Sequence, residues 1–130
     1  MDLLNLEVVR DYGSVFLHGL AITVMLTLVV IVLASLLAIP VALARLSPSR
    51  SIRWPADFYV EFIRATPLIL QLIYIFYVLP SAGLRLEPIP AAIIGLTLNY
   101  SAYMSEVYRS GIQAVPKGQW EARSEEYTSE

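Results

Sequence analysis

Charged positions divide the chain into apolar runs. No Asp, Glu, Lys or Arg occurs over residues 12–44, 65–84 or 88–105. A helix needs about 20 apolar residues to cross about 30 Å of hydrocarbon, and one charge at the bilayer centre costs about 2.5–3.5 kcal/mol on insertion scales. The pattern predicts three transmembrane helices, about 14–43, 66–84 and 89–108. A buried helix of a soluble core would be shorter. The first run exceeds the bilayer thickness at about 1.5 Å per residue, so it must tilt, kink or extend past the membrane, with Pro40 a kink site. Its flank is acidic (Asp2, Glu7, Asp11) and its apolar run is long, neither of which fits a secretory signal.

Between the first two runs, Trp54, Phe58 and Phe62 repeat every four residues, with Asp57, Glu61 and Arg64 offset from them. That spacing predicts a short cytoplasmic helix over 45–64 lying at the membrane interface, with Pro55 at its first position. Thr66 is then expected to cap the second membrane helix, with Pro67 in its first turn. Orientation follows from Lys and Arg. Arg45, Arg50, Arg53, Arg64, Arg109, Lys117 and Arg123 fall on one side of the three crossings, and Arg10 and Arg85 on the other. The N-terminus is therefore expected outside, with the 45–64 loop and the C-terminal tail inside.

Within the membrane segments the polar residues are few and placed. Gly19, Thr23, Thr27, Ala34 and Ala38 lie near one face of the first helix and suit close helix approach, or reflect an Ala-rich composition. His18 falls at the outer interface. Gln71, Tyr74 and Tyr77 recur at three-residue steps in the second helix. Gln71 must find a partner in protein or water, so it makes a helix–helix hydrogen bond or lines a polar path. Gly95, Asn99, Tyr103, Glu106 and Ser110 share one face of the third helix, which faces other helices or water. Glu106 and Arg109 are spaced to pair. Gln71, Asn99, Tyr103 and Glu106 are the candidate translocation-path residues.

Composition narrows the chemistry. Hydrophobic residues make up 57% of the 130-residue chain and charged residues 15%, against about 45–50% and about 25% in soluble domains. With no cysteine and one histidine, disulfide frameworks, thiolate metal sites and cysteine nucleophiles are excluded. A net charge of -2 leaves no basic excess for nucleic acid. No phosphate loop, nucleotide fingerprint or catalytic triad occurs, so the chain is expected to be non-catalytic, without cofactor or metal.

Three stretches carry a family resemblance: HGLAITVMLTL (18–28), FIRATPLILQLIYIFYVLP (62–80) and GLTLNYSAYMSEVYRSGIQAVPKGQWEA (95–122). Together they resemble the permease subunit of polar amino-acid ABC importers, of the histidine/glutamine/arginine type, over about residues 12–122. The resemblance implies an all-α membrane protein, the N-terminal part of a five-helix type I permease fold in a bacterial inner membrane. It implies a second permease subunit, two ATPase subunits, an extracytoplasmic solute-binding protein and an amino-acid or related zwitterionic substrate. It also implies a cytoplasmic coupling loop that docks on the ATPase, here beginning at Gly118, Gln119, Glu121 and Ala122. The family pattern then continues Glu-Ala-Ala, three residues, Gly. Here Arg123 replaces the second Ala and Tyr127 stands at the Gly position. The domain is thus expected over 1–122, with 123–130 an atypical polar tail pointing to truncation, a shifted frame or a short variant. The alternative to a transporting subunit is a truncated protein that only packs with a full-length permease. A self-assembling pore has only the polar face of the third helix in its favour.

Overall fold

The computed structural model describes residues 6–116. Four helices account for most of it: α1 (Leu6–Leu46), α2 (Arg50–Ala65), α3 (Leu68–Ile73) and α4 (Pro88–Gln113). No strand occurs among the described residues, as the all-α reading requires.

α1 runs through Pro40 as one helix of 41 residues, about 60 Å long at about 1.5 Å per residue. It outlasts the expected 14–43 at both ends, because the charge gap marks what hydrocarbon tolerates and not where helical hydrogen bonding stops. Leu17, Leu20, Val24, Leu28, Leu36 and Leu43 remain exposed. That is the distribution of a helix whose surroundings are lipid or further helices, not of a soluble core. The buried seam is narrow and made of small residues. Val30, Ala34, Ala38 and Ala42 recur every fourth position and face α4, whose Ser101, Ala102 and Ser105 are fully buried. Small side chains on both partners let the backbones approach closely. Of the stripe expected on α1, Ala34 and Ala38 belong to this seam. Gly19, Thr23 and Thr27 lie exposed beyond it, and the two threonine hydroxyls donate to Gly19 O and Thr23 O at 2.9 and 2.8 Å.

α2 begins at Arg50, and Pro55 sits inside it, not at its first position. As the sixth residue of the helix, Pro55 lies past the first turn, and it withholds the N–H that Ser51 O would have accepted. Thr66 is also not the cap of the next helix. As the residue before a proline it is held extended (φ −103°, ψ 125°), and its hydroxyl donates backward to Phe62 O at 2.9 Å. Thr66 therefore closes α2. α3 is started by Pro67, whose carbonyl accepts Leu70 N and Gln71 N at 3.0 and 3.2 Å. The chain bends by 102° between α2 and the segment Leu68–Ala82.

The expected helix 66–84 is not one regular helix. α3 lasts six residues, followed by a π-helical turn over Tyr74–Val78 and a 3-10 turn over Leu79–Ala82. Leu79 N–H reaches back five residues to Tyr74 O, and Pro80 has no N–H with which to restore the α register. Gly83, at φ 90°, ends the segment in the left-handed region that glycine tolerates. α4 opens on Pro88 and extends five residues beyond the expected 89–108. α1 is the one described helix long and apolar enough to cross a membrane alone, and α2 with Leu68–Ala82 qualifies only as a bent pair.

α3 reaches α4 at Gly95. A Cβ there would stand 2.6 Å from Leu72 Cδ2 and 3.2 Å from Ile75 Cδ1. Gly95→Leu is therefore expected to force α3 off α4 and to lower stability in detergent by about 1–3 kcal/mol, read from thermal unfolding by circular dichroism. Gly95→Ala, which needs the flexible ends of Leu72 and, by less, Ile75 to shift, should stay at the bottom of that range. An unchanged midpoint for Gly95→Leu would remove Gly95 from the packing.

Candidate functional site

The polar residues of the membrane segments converge on α4 in two tiers. The upper tier lies at the α2–α3 break. Pro67 lacks the N–H that an unbroken helix would have aimed at Ile63 O. Ile63 O accepts the Thr66 N–H at 3.3 Å instead, and the Gln71 side chain adds a second donor: its Nε2 donates to Ile63 O at 2.8 Å and to Thr66 O at 2.9 Å. Its Oε1 accepts Asn99 Nδ2 at 3.3 Å. Gln71 and Asn99 are both buried, at 8% and 6% exposure, so the amide pair serves the protein interior. Among the described residues these two make the helix–helix contact that was one of the two readings open for Gln71.

Tyr59 holds the middle of α2 to α4. Its hydroxyl donates to Leu98 O at 2.8 Å and lies 2.8 Å from Ser101 Oγ. Burial pushes the Tyr59 pKa up, against the opposing effect of the Ser101 hydrogen bond. Val60, Ile63 and Ala102 form the small apolar core beside it, with Val41 of α1 packed on.

The lower tier is a charge cluster at the foot of the bundle. Arg45, near the end of α1, reaches both other long helices. Its Nε pairs with Asp57 Oδ1 of α2 at 2.8 Å, and its Nη1 pairs with Glu106 Oε2 of α4. Glu106 Oε1 is held by Arg109 Nη2, the i,i+3 pair expected from spacing, and Arg109 Nη1 also donates to Gln113 Oε1 at 2.8 Å. Arg64 stands 4.0 Å from Glu106 Oε2 and lies over the Tyr103 ring, 5.4 Å from its centroid. The Arg45 side chain is only 11% exposed, so its charge is matched by two carboxylates rather than by water.

The expected single stripe on α4 is thus divided. Gly95 and Asn99 face α3 in the interior, Glu106 joins the charge cluster, and Tyr103 and Ser110 are exposed. Tyr74 and Tyr77 are exposed as well. Gly118, Gln119, Glu121 and Ala122, and the tail 123–130, lie outside the described residues. Arg45, Asp57 and Tyr59 are the participants that the sequence pattern did not single out. Arg45 counted only toward orientation and Asp57 only as the polar side of an amphipathic helix, since their pairing is across elements.

Residues 34–124 match the family of the binding-protein-dependent transport system inner membrane component, and the chain belongs to that family. It is 43% identical over 113 residues to the L-cystine transport system permease protein TcyB of Bacillus subtilis (strain 168), covering 87% of this chain and 48% of that protein. It is 42% identical over 107 residues to the arginine transport system permease protein ArtQ of the same organism, covering 82% and 49%. A solved structure described as an amino acid ABC transporter with histidines superposes with a TM-score of 0.82 at 38% identity, over 88% of this chain and 54% of that one. The chain spans about half the length of the curated relatives it matches.

Removing Arg45 leaves Asp57 and Glu106 facing each other's helices without their shared cation. Arg45→Gln is expected to lower stability by about 1–3 kcal/mol, measured by thermal unfolding in detergent. Arg45→Lys should recover only part of the loss, because an ammonium does not span two carboxylates as a guanidinium fork does. Full recovery by Lys would mean that charge alone, without the two-way geometry, holds the foot together.

Proposed function

We propose that this chain acts as part of the permease subunit of an ATP-binding-cassette importer for polar amino acids or related zwitterions. It works in a bacterial inner membrane as a multi-pass protein, with the N-terminus outside and three crossings supplied by α1, by the segment following Pro67 and by α4. Its partners are a second permease subunit, two ATPase subunits that hydrolyse ATP and an extracytoplasmic solute-binding protein. The chain itself is non-catalytic.

The observation that carries the coupling role is the Arg45–Asp57–Glu106–Arg109 cluster at the foot of α4. α4 ends at Gln113, a few residues before Gly118, Gln119, Glu121 and Ala122, the proposed ATPase-coupling segment. The family match extends through those positions, to residue 124. A helix tied at its foot to two others moves with them, which is what transmission of a rigid-body motion from an ATPase to the membrane requires. Gln71, Asn99, Tyr103 and Glu106 remain the proposed path-side residues. Exposure favours Tyr103 for solute contact, while Gln71 and Asn99 support the wall from behind.

Glu121→Arg in the assembled importer is expected to separate the two activities. ATPase turnover should persist, while ATP-dependent uptake of labelled amino acid in proteoliposomes containing the binding protein should fall at least about ten-fold, with membrane insertion intact. Wild-type uptake by that variant would refute the coupling role. Absence of ATP-dependent uptake of any amino acid by the unmodified assembly would refute the transport reading itself.

A further inference from the structure

α2 has three distinct faces. At about 100° per residue, Val60 and Ile63 point into the bundle, where both are buried. The five charges Arg50, Arg53, Asp57, Glu61 and Arg64 fall within one sector about 80° wide. Trp54, Phe58 and Phe62 take the remaining side, with no charge among them. They form a ladder: neighbouring ring centroids are 5.9 Å apart with interplanar angles of 18° and 20°. The three rings are 66%, 59% and 57% exposed. A helix that met only water on this side would carry polar residues there.

The depth of α2 identifies what meets the ladder. Asp57 is level with Arg45 and Glu106, through the ion pairs of the foot, and Ile63 is level with Asn99, through Gln71. Those α4 residues are seven positions apart, about 10 Å along the helix axis. The ladder therefore crosses a layer as thick as the boundary between headgroups and acyl chains, where Trp and other amphipathic aromatic faces settle. Charge points the same way. Asp57 is neutralised by Arg45; of the exposed charges on this helix that join no ion pair among the described residues, Arg50 and Arg53, at the end of the ladder nearest the foot, outnumber Glu61 and leave the face net positive. Among the described residues the one hydrogen bond of the Arg53 guanidinium goes to the Ser47 carbonyl, at 3.5 Å.

We propose that α2 is a seat for anionic phospholipid: the Trp54–Phe58–Phe62 ladder lies against the upper acyl chains, and Arg50 and Arg53 hold the headgroup phosphate. The proposal rests on the reading of this chain as a membrane protein.

The test uses the full chain carrying Trp120→Phe, which leaves Trp54 as the single tryptophan of the two in the sequence. The protein is inserted into nanodiscs of mixed phosphatidylglycerol and phosphatidylcholine, with one or the other brominated on its acyl chains. Co-elution with the scaffold protein reports insertion. Failure to co-elute would overturn the membrane reading and the proposal with it. In inserted protein, brominated phosphatidylglycerol is expected to quench Trp54 at least about two-fold more than brominated phosphatidylcholine at the same mole fraction. Arg50→Gln with Arg53→Gln should abolish that preference while quenching by both lipids persists. Equal quenching of the unmodified pair by the two lipids would overturn the proposal. So would no quenching with blue-shifted emission, which would mean that a protein surface covers the ladder.

Discussion

Pro67 holds Thr66 out of the helical region and withholds the N–H that Ile63 O would otherwise accept. In an environment short of water, carbonyls freed in this way need partners from the protein. Gln71, one turn beyond the proline, bends its amide back onto Ile63 O and Thr66 O. The break is thereby made permanent, and its direction is set, because the other end of the same amide is spoken for by Asn99 of α4. The 102° turn, the path of α3 along α4 and the close approach at Gly95 lie around that amide, which joins the Thr66 N–H on Ile63 O and ties the bend to α4.

Arg45 does at the foot what Gln71 does at the bend. One side chain from α1 reaches α2 and α4 together, so the three helices share a single fixed point at that end. The seam above it is built mainly of alanine and serine, with Val30 at its far end. Such a seam permits close contact but does little to fix register, since a shift along α1 by one turn would place alanine opposite the same serines. The ion pairs supply the register that the small residues leave open, as polar groups at helix interfaces do elsewhere.

The sequence reading succeeded where a property depends on neighbours along the chain. Apolar runs free of charge located α1 and α4 but not the break-up of 66–84 into α3 and two irregular turns, the i,i+3 spacing of Glu106 and Arg109 located their pair, and the aromatic repeat located α2. It failed where a residue acts across elements or where two local rules compete. Thr66 is a good cap by residue type, but the pre-proline restriction and the nearby Phe62 carbonyl make it close the preceding helix instead. Pro55 has the residue type of a helix start, but the helix begins five residues earlier behind Ser49, a cap by residue type whose hydroxyl makes no cap hydrogen bond. The even face on α4 from Gly95 to Ser110 is genuine as geometry. It met three different surroundings because α3, the foot and open surface lie along it in succession, and a one-dimensional pattern does not record which neighbour is opposite.

These two fixed points also constrain how motion can pass through the chain. A push delivered beyond Gln113 enters α4 at the end where Arg109, Glu106 and Arg45 bind it to α1 and α2. Those three helices are held to respond together, because releasing α4 alone would carry Glu106 away with Arg109 and leave the nearly buried Arg45 with Asp57 as its one carboxylate partner among the described residues. α3 is joined differently. Among the described residues its polar link to α4 is one amide pair, beside apolar packing around Gly95 and Ala91, and it continues into π and 3-10 turns rather than regular helix. Under the proposed coupling role, displacement at the foot is carried by the long helices as one body. The segment from Pro67 to Gly83 is then where the inner and outer halves of the chain can change their relation without breaking the foot.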